Sequence, residues 1–211
     1  VQEDDFQDTV MRWMVAMRLR TRFFILGVLG CAAVAAAALS GCASNPEYFR
    51  SDTTLEQPAT LAVMPLVNLS KYDEAGDVVM NSLLIQLLDI DFFEIVDPGL
   101  VDNAVLKRRI RFTDRLPLET LQELGRDLNA EYMLLGSVNE FDMITSRTET
   151  VPLVSISVRI VRSETGTIFW AATHTRRGDD AESIFGLGRI MTLEQLTAVA
   201  VRDIAGTLKN K

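Results

Sequence analysis

Thiol and imidazole chemistry are almost absent from this chain. Its 211 residues hold two cysteines, Cys31 and Cys42, and one histidine, His174. After Cys42 no cysteine remains, so an internal disulfide and a zinc–thiolate site are both excluded for the rest of the chain. A single histidine with no thiol partner leaves no Cys/His pair and no Ser/His/Asp set, and no phosphate-cradling glycine loop occurs. Positive charge is in deficit as well. The formal net charge is −8, and the four basic and four acidic residues before Cys42 cancel, so residues 42–211 carry all of it. Such a surface has no electrostatic reason to bind nucleic acid. Internal repeats and low-complexity tracts are missing after residue 42. We therefore expect no catalytic set, no resident metal and no cofactor other than a covalent lipid.

What is present begins near the amino terminus. Arg18, Arg20 and Arg22 precede an apolar run from Phe23 to Leu39, followed by small residues. This is the layout of an export signal, although the run is also close to the lower limit for a membrane span. Its second half is mostly alanine, which makes it a weakly hydrophobic span. Leu39-Ser40-Gly41-Cys42 resembles the bacterial lipobox, in which the cysteine sulfur is acylated and becomes the first residue after cleavage. That chemistry needs sulfur as the nucleophile and small neighbours for the peptidase. A retained anchor and a plain cleaved signal are the alternatives, and the ending favours acylation of Cys42. Cys31, inside the run, reads as a small hydrophobe. Ala43 stands where aspartate signals inner-membrane retention, so the resemblance implies an outer-membrane anchor with the domain facing the periplasm. Residues 1–16 are acidic where an export signal is basic, and "MRLRTR" begins at Met17. The expected organisation is an upstream extension outside the translated protein (1–16), a lipoprotein signal (17–41), a tether (42–59) with Pro46 and Pro58, and one domain (60–211).

Within that domain Thr60 to Ser70 reads as a buried strand. Asp73 to Ile90 reads as a helix with Val79, Leu83, Ile85, Leu87 and Leu88 in its apolar stripe. "FFEIVD" is a second strand. Asp97-Pro98 then caps a helix running to about Arg111, and Leu118, Leu121, Leu124 and Leu128 recur at helical spacing after Pro117. Ala130 to Phe141 is a third strand. Val154, Ile156, Val158 and Ile160 alternate with Ser155, Ser157 and Arg159, which predicts a strand with one buried and one polar face. "SETG" turns the chain into a partner strand over Thr167 to Thr175, where Trp170 shares a side with Ile168. Glu182 to Lys209 reads as a final helix. The order β-α-β-α-α-β-β-β-α predicts an α/β fold, with a mixed parallel and antiparallel sheet layered by helices.

The runs "LAVMPLVNLS", "FFEIVD", "LGRDLNAEYMLLGSVNEF" and "VSISVRIVRSETGTIFWAA", in this order over Thr60 to Leu208, resemble the CsgG-type lipoproteins, named for the curli secretion channel. Relatives of similar fold include the periplasmic lipoprotein activator of a penicillin-binding protein and the amino-terminal domain of TolB. The resemblance implies a CsgG/TolB-N-like sheet, with Gly136 at a close backbone approach and "ETG" at the hairpin turn. In the curli channel two inserted segments supply membrane-spanning strands. Here they map near Asp142 to Pro152 and Arg176 to Leu187, which are short, polar and charged. A membrane strand needs about 9–11 residues with alternating apolar side chains, so no pore is expected.

Candidate chemistry is sparse. Lys107, Arg108, Arg109 and Arg111 form the densest basic patch, a candidate interaction surface for an anionic partner, although cations at a helix end also complement its dipole. Gly178, Asp179 and Asp180 with Glu182 offer oxygen ligands without calcium-loop spacing. His174 reads as a strand-edge residue, "GLG" at 186–188 as a loop, and Asn68-Leu69-Ser70 as a chance glycosylation triplet. The expectation is a non-enzymatic, outer-membrane-anchored lipoprotein that scaffolds or assists an envelope assembly. Its expected partners are the membrane, envelope proteins and further copies of itself. The alternatives are a protomer of a secretion channel and a regulator that binds a peptidoglycan-synthesis enzyme.

Overall fold

Alternation along two long strands sets the architecture. In the computed structural model, residues 46–50, 58–146, 149–183 and 188–209 are described. The expectations for residues 1–41 and for the lipobox Leu39, Ser40, Gly41 and Cys42 fall outside them. Among the described residues there are seven strands, β1 Glu47–Phe49, β2 Ala59–Val63, β3 Val67–Asn68, β4 Phe93–Ile95, β5 Tyr132–Ser146, β6 Glu149–Arg162 and β7 Ile168–Arg177. Among them too are four helices, α1 Ala75–Ile90, α2 Pro98–Lys107, α3 Leu118–Leu128 and α4 Leu193–Lys209. The strands form one sheet in the order β1-β7-β6-β5-β2-β4, with β3 beside β5. Pairing is parallel among β4, β2, β3 and β5 and antiparallel through β5, β6, β7 and β1. The α/β class and the mixed sheet are as expected.

Because side chains alternate along a strand, each face has its own core. Leu61 and Val63 of β2, Tyr132 and Leu134 of β5, and Val154, Ile156, Val158 and Ile160 of β6 pack under α1 and α4 through Val79, Leu83, Leu87, Leu196, Ala200 and Ile204. Ala62, Met64, Met133 and Leu135 face the other way, toward Val101 and Val105 of α2 and Leu121 and Leu124 of α3. Each fully buried side chain of this size contributes about 1.5–3 kcal/mol.

Several boundaries differ from the expectation, each for a local reason. The described part of the segment read as tether contains β1, which pairs antiparallel with Trp170, Ala171 and Ala172 of β7. The run read as one strand is split into β2 and β3, both parallel to β5, with Pro65, which has no N–H, in the gap. The hairpin of β5 and β6 continues past Phe141 to Ser146 and Glu149, so Asp142 to Ser146 and Glu149 to Pro152 are ladder rather than loop. Pro152 is tolerated there because its carbonyl faces Gly178, whose N–H donates to it at 2.8 Å. The side lacking an N–H is thus turned beyond the end of β7.

A register shift between Ile160 and Val161 sets Trp170 opposite Ile160 and Ile168 opposite Val161. Phe169 is the extra residue, so it and Trp170 are both buried while Ile168 is exposed. The last helix begins at Leu193 rather than Glu182, where Thr192 Oγ1 accepts from the Gln195 N–H at 3.3 Å as a cap. On α1, Ile85 and Leu88 point outward at 64% and 62% exposure, so they are not part of its core stripe. Gly136 does mark a close approach: a Cβ there would lie 2.5 Å from the Ser157 carbonyl oxygen.

Candidate functional site

Asp97 opens α2 as predicted, its carboxylate accepting from the N–H groups of Gly99 and Leu100 at 2.9 and 3.3 Å, with Pro98 at the first helical position. The helix stops when Arg109 enters the left-handed region at φ 53°. There the Arg109 N–H donates to Leu106 and the Ile110 N–H to Val105, satisfying two end carbonyls. Three attachments then tie the connection to α3 onto the sheet. Ile110 and Leu116 pack on the smaller core, the buried Thr113 hydroxyl donates to the Pro65 carbonyl, and the Arg159 guanidinium donates to the Asp114 carbonyl.

With Ile110, Thr113 and Leu116 turned inward, their neighbours are forced outward. Leu106 and Phe112 are 73% and 65% exposed, and Lys107, Arg109, Arg111 and Arg115 are exposed beside them. Among the described residues no hydrogen bond or ion pair engages Lys107, Arg109 or Arg111, whereas Arg115 pairs with the Asp114 carboxylate at 3.0 Å. Arg108 behaves differently from its neighbours in the predicted patch. It is paired with Asp127 and lies 3.7 Å from Glu123, both on α3, with its own side chain 21% exposed. The hydrogen bond from Arg108 holds the Asp127 carboxyl below its usual range. Arg108 therefore joins α2 to α3, and the outward group is Leu106, Lys107, Arg109, Arg111 and Phe112. The two apolar members escaped the sequence reading because helical spacing alone does not say that their side of the helix end is uncovered.

The remaining candidates are absorbed by the fold. His174 is buried on β7, and burial pushes its imidazole down from the ordinary value; nearby Asp203 and Glu47 oppose that push and Arg176 adds to it. Asp179 pairs with Arg177 at 3.1 Å, Asp180 accepts from the Arg177 N–H at 2.8 Å, and Glu182 pairs with Arg189 at 2.7 Å. Those carboxylates serve arginines, and among the described residues no three His, Cys, Asp or Glu side chains gather to hold a metal. Asn68 builds a turn, accepting from the Ser70 N–H at 2.9 Å and donating to the Tyr72 carbonyl at 2.6 Å.

Two features carried no sequence signal. An open groove of about 800 Å³ runs between α3 and the end of β6, lined by Gln122, Arg126, Asn129, Glu131, Arg162 and Ser163 among others. Arg162 is held there by the Tyr132 hydroxyl at 2.7 Å, its charge over that ring. On the sheet face opposite α1 and α4, polar side chains form a ladder. Ser137 donates to Asn139, the extra residue of a bulge in β5, and Asn139 donates to Ser157, each at 2.8 Å. The hydroxyls of Ser157 and Thr173 hydrogen-bond to each other at 3.0 Å, as those of Ser155 and Thr175 do at 2.8 Å. Among the described residues no helix is long and apolar enough to cross a membrane.

The described residues form a layered α/β domain with a mixed sheet and an exposed cationic and apolar rim at the end of α2. The chain is a member of the peptidoglycan-synthase activator LpoB family, whose model matches residues 31–175. The secretion-channel family that its strand and turn patterns resemble is not the one matched. The activator lipoproteins, named beside that family as relatives of similar fold, are. No curated protein matches the chain. Among solved structures it is similar to the PelC dodecamer from Paraburkholderia phytofirmans, at 19% identity and TM-score 0.51 over 75% of this chain and 95% of that one. It is also similar to the lipoprotein GNA1162 from Neisseria meningitidis, at 19% identity and TM-score 0.51 over 71% of this chain and 99% of that one. At these identities the likeness is one of fold. The LpoB C-terminal domain from Escherichia coli aligns at 17% identity and TM-score 0.42, over 56% of this chain and 82% of that one.

Proposed function

We propose that this chain is a non-enzymatic regulator of a peptidoglycan synthase, anchored through acylated Cys42 to the periplasmic side of the outer membrane. The observation that carries the reading is the family match over residues 31–175. It favours the regulator alternative over a general envelope scaffold. The rim at the end of α2 supplies a contact of suitable chemistry. Lys107, Arg109 and Arg111 attract an acidic surface over a distance, while Leu106 and Phe112 provide apolar area to bury on arrival. Self-assembly is part of the proposal, supported only by the dodecamer that the PelC relative forms; light scattering of the acylated protein tests it.

The test of function is the rate of glycan polymerisation by a purified peptidoglycan synthase of the same organism, with and without the acylated protein. Stimulation that disappears in an Arg109→Glu, Arg111→Glu double variant supports the reading. Binding to no synthase in intact envelopes contradicts it.

A further inference from the structure

We infer that the β1 edge of the domain rests against the bilayer that holds the lipid, so that this protein works at a short, fixed distance from its anchor. The inference rests on the acylation of Cys42 proposed above and goes beyond it. A free tether over residues 42–59, eighteen residues long, would let the domain wander ~60 Å from the surface when extended. The sheet removes most of that freedom. Glu47, Tyr48 and Phe49 pair with Ala172, Ala171 and Trp170. At either end of β1 the Thr173 N–H donates to the Pro46 carbonyl at 3.0 Å and the Arg50 N–H to the Phe169 carbonyl at 2.9 Å. Phe49 also packs edge-on against the ring of Phe169, with centroids 4.9 Å apart. The chain is therefore fixed over Pro46 to Arg50, and Pro46 is the fourth residue after Cys42. Four residues reach ~14 Å at full extension.

The side chains at this edge suit a headgroup layer. Tyr48 projects to the opposite side from Glu47 and Phe49 and is 49% exposed. With Pro46, Ser157, Arg159 and Thr173 it walls a shallow cleft of about 310 Å³. Tyrosine is favoured at the membrane–water boundary because its ring is apolar and its hydroxyl stays wet. The cationic and apolar rim lies elsewhere. It is carried by α2, which packs on β2, and β2 is four strands from β1. At ~4.8 Å per strand that is roughly 20 Å across the sheet. Holding β1 at the bilayer thus leaves the rim turned toward an arriving partner.

The test uses the acylated full chain in liposomes that contain a headgroup-nitroxide lipid. Cys42 is blocked by its lipid and Cys31 leaves with the cleaved signal, so single thiols from Tyr48→Cys and, on α2, Asn103→Cys can each carry a fluorophore. Thr175→Cys, exposed on the strand beside β1, repeats the measurement in case the first variant disturbs the cleft. Flotation is read first, and quenching second. The expected result is flotation of every variant, loss of most fluorescence at positions 48 and 175, and retention at 103. Inserting about 15 Gly/Ser residues after Ser44, a coil with ~20 Å of average end-to-end distance, is expected to restore fluorescence at 48. Floating protein with equal quenching at all positions, or quenching indifferent to the insertion, overturns this inference and leaves the anchor standing. Protein that does not float overturns both.

Discussion

On the side of the sheet covered by α1 and α4, strand after strand contributes Leu, Val, Ile, Tyr and Trp to one continuous core, and Trp170 completes it by donating to Thr207 at 3.1 Å. On the opposite side α2 and α3 cover only the half built from β2, the start of β5 and the end of β6. Beyond them the sheet presents the hydroxyl and amide ladder of Ser137, Asn139, Ser155, Ser157, Thr173 and Thr175. The first side is sealed by packing. The second is organised by hydrogen bonds and by the rigid connection that lifts Leu106, Arg109, Arg111 and Phe112 into solvent. Stability is concentrated on the former and surfaces free for contact on the latter, so the two sides respond differently to the same kind of change.

The largest effect is expected in the sealed core. Leu134→Ala or Ile156→Ala, each fully buried, removes packing that cannot collapse into the gap, at a cost of about 2–5 kcal/mol in chemical denaturation. Gly136→Ala is expected to be similarly damaging, since its Cβ would meet the Ser157 carbonyl and a Val158 methyl at 2.5 and 2.8 Å. Across the sheet, Ser155→Ala removes a single side-chain hydrogen bond and is expected to cost ~1 kcal/mol. Comparable losses from Leu134→Ala and Ser155→Ala would erase the contrast between the faces.

A pH series sharpens it. His174 lies on the sealed side, and burial lowers its pKa from 6.5. The unfolded chain then binds the proton more readily than the folded one, so the contribution of His174 is complete above pH 6.5 and is lost as pH falls through the lowered value. It is the only histidine. A melting series from pH 8 to 5 is therefore expected to fall for the wild type, and to fall less for His174→Gln; equal slopes would remove the effect. The smallest stability change is expected at the rim. The Arg109→Glu, Arg111→Glu variant alters exposed cations that have no partner among the described residues, and its melting temperature is expected to match the wild type within error.

The layered fold was legible because Val154 to Ile160 alternate cleanly and the leucines of α3 recur at helical spacing, signals that need no knowledge of neighbours. What escaped was decided by neighbours. Three residues at an edge are too few to show a period, so β1 was hidden in a polar segment until β7 supplied its partner. The hairpin beyond Phe141 reads as a loop because its side chains are polar and Pro152 interrupts it, although the ladder is made by the backbone. Arg108 looked like Arg109 and Arg111 until α3 brought Glu123 and Asp127 to it. The basic run marks the end of α2, and only the packing of α2 on α3 separates Arg108, which is paired, from Lys107, Arg109 and Arg111, which face outward.

The central claim is that this domain raises the activity of a peptidoglycan synthase through the rim at the end of α2. Its most direct test is the initial rate of glycan polymerisation by the purified synthase, measured with wild type, with Arg109→Glu, Arg111→Glu and with Ser155→Ala. The account predicts acceleration by the wild type and by Ser155→Ala, and none by the double variant. Acceleration by all three, or by none, would contradict it.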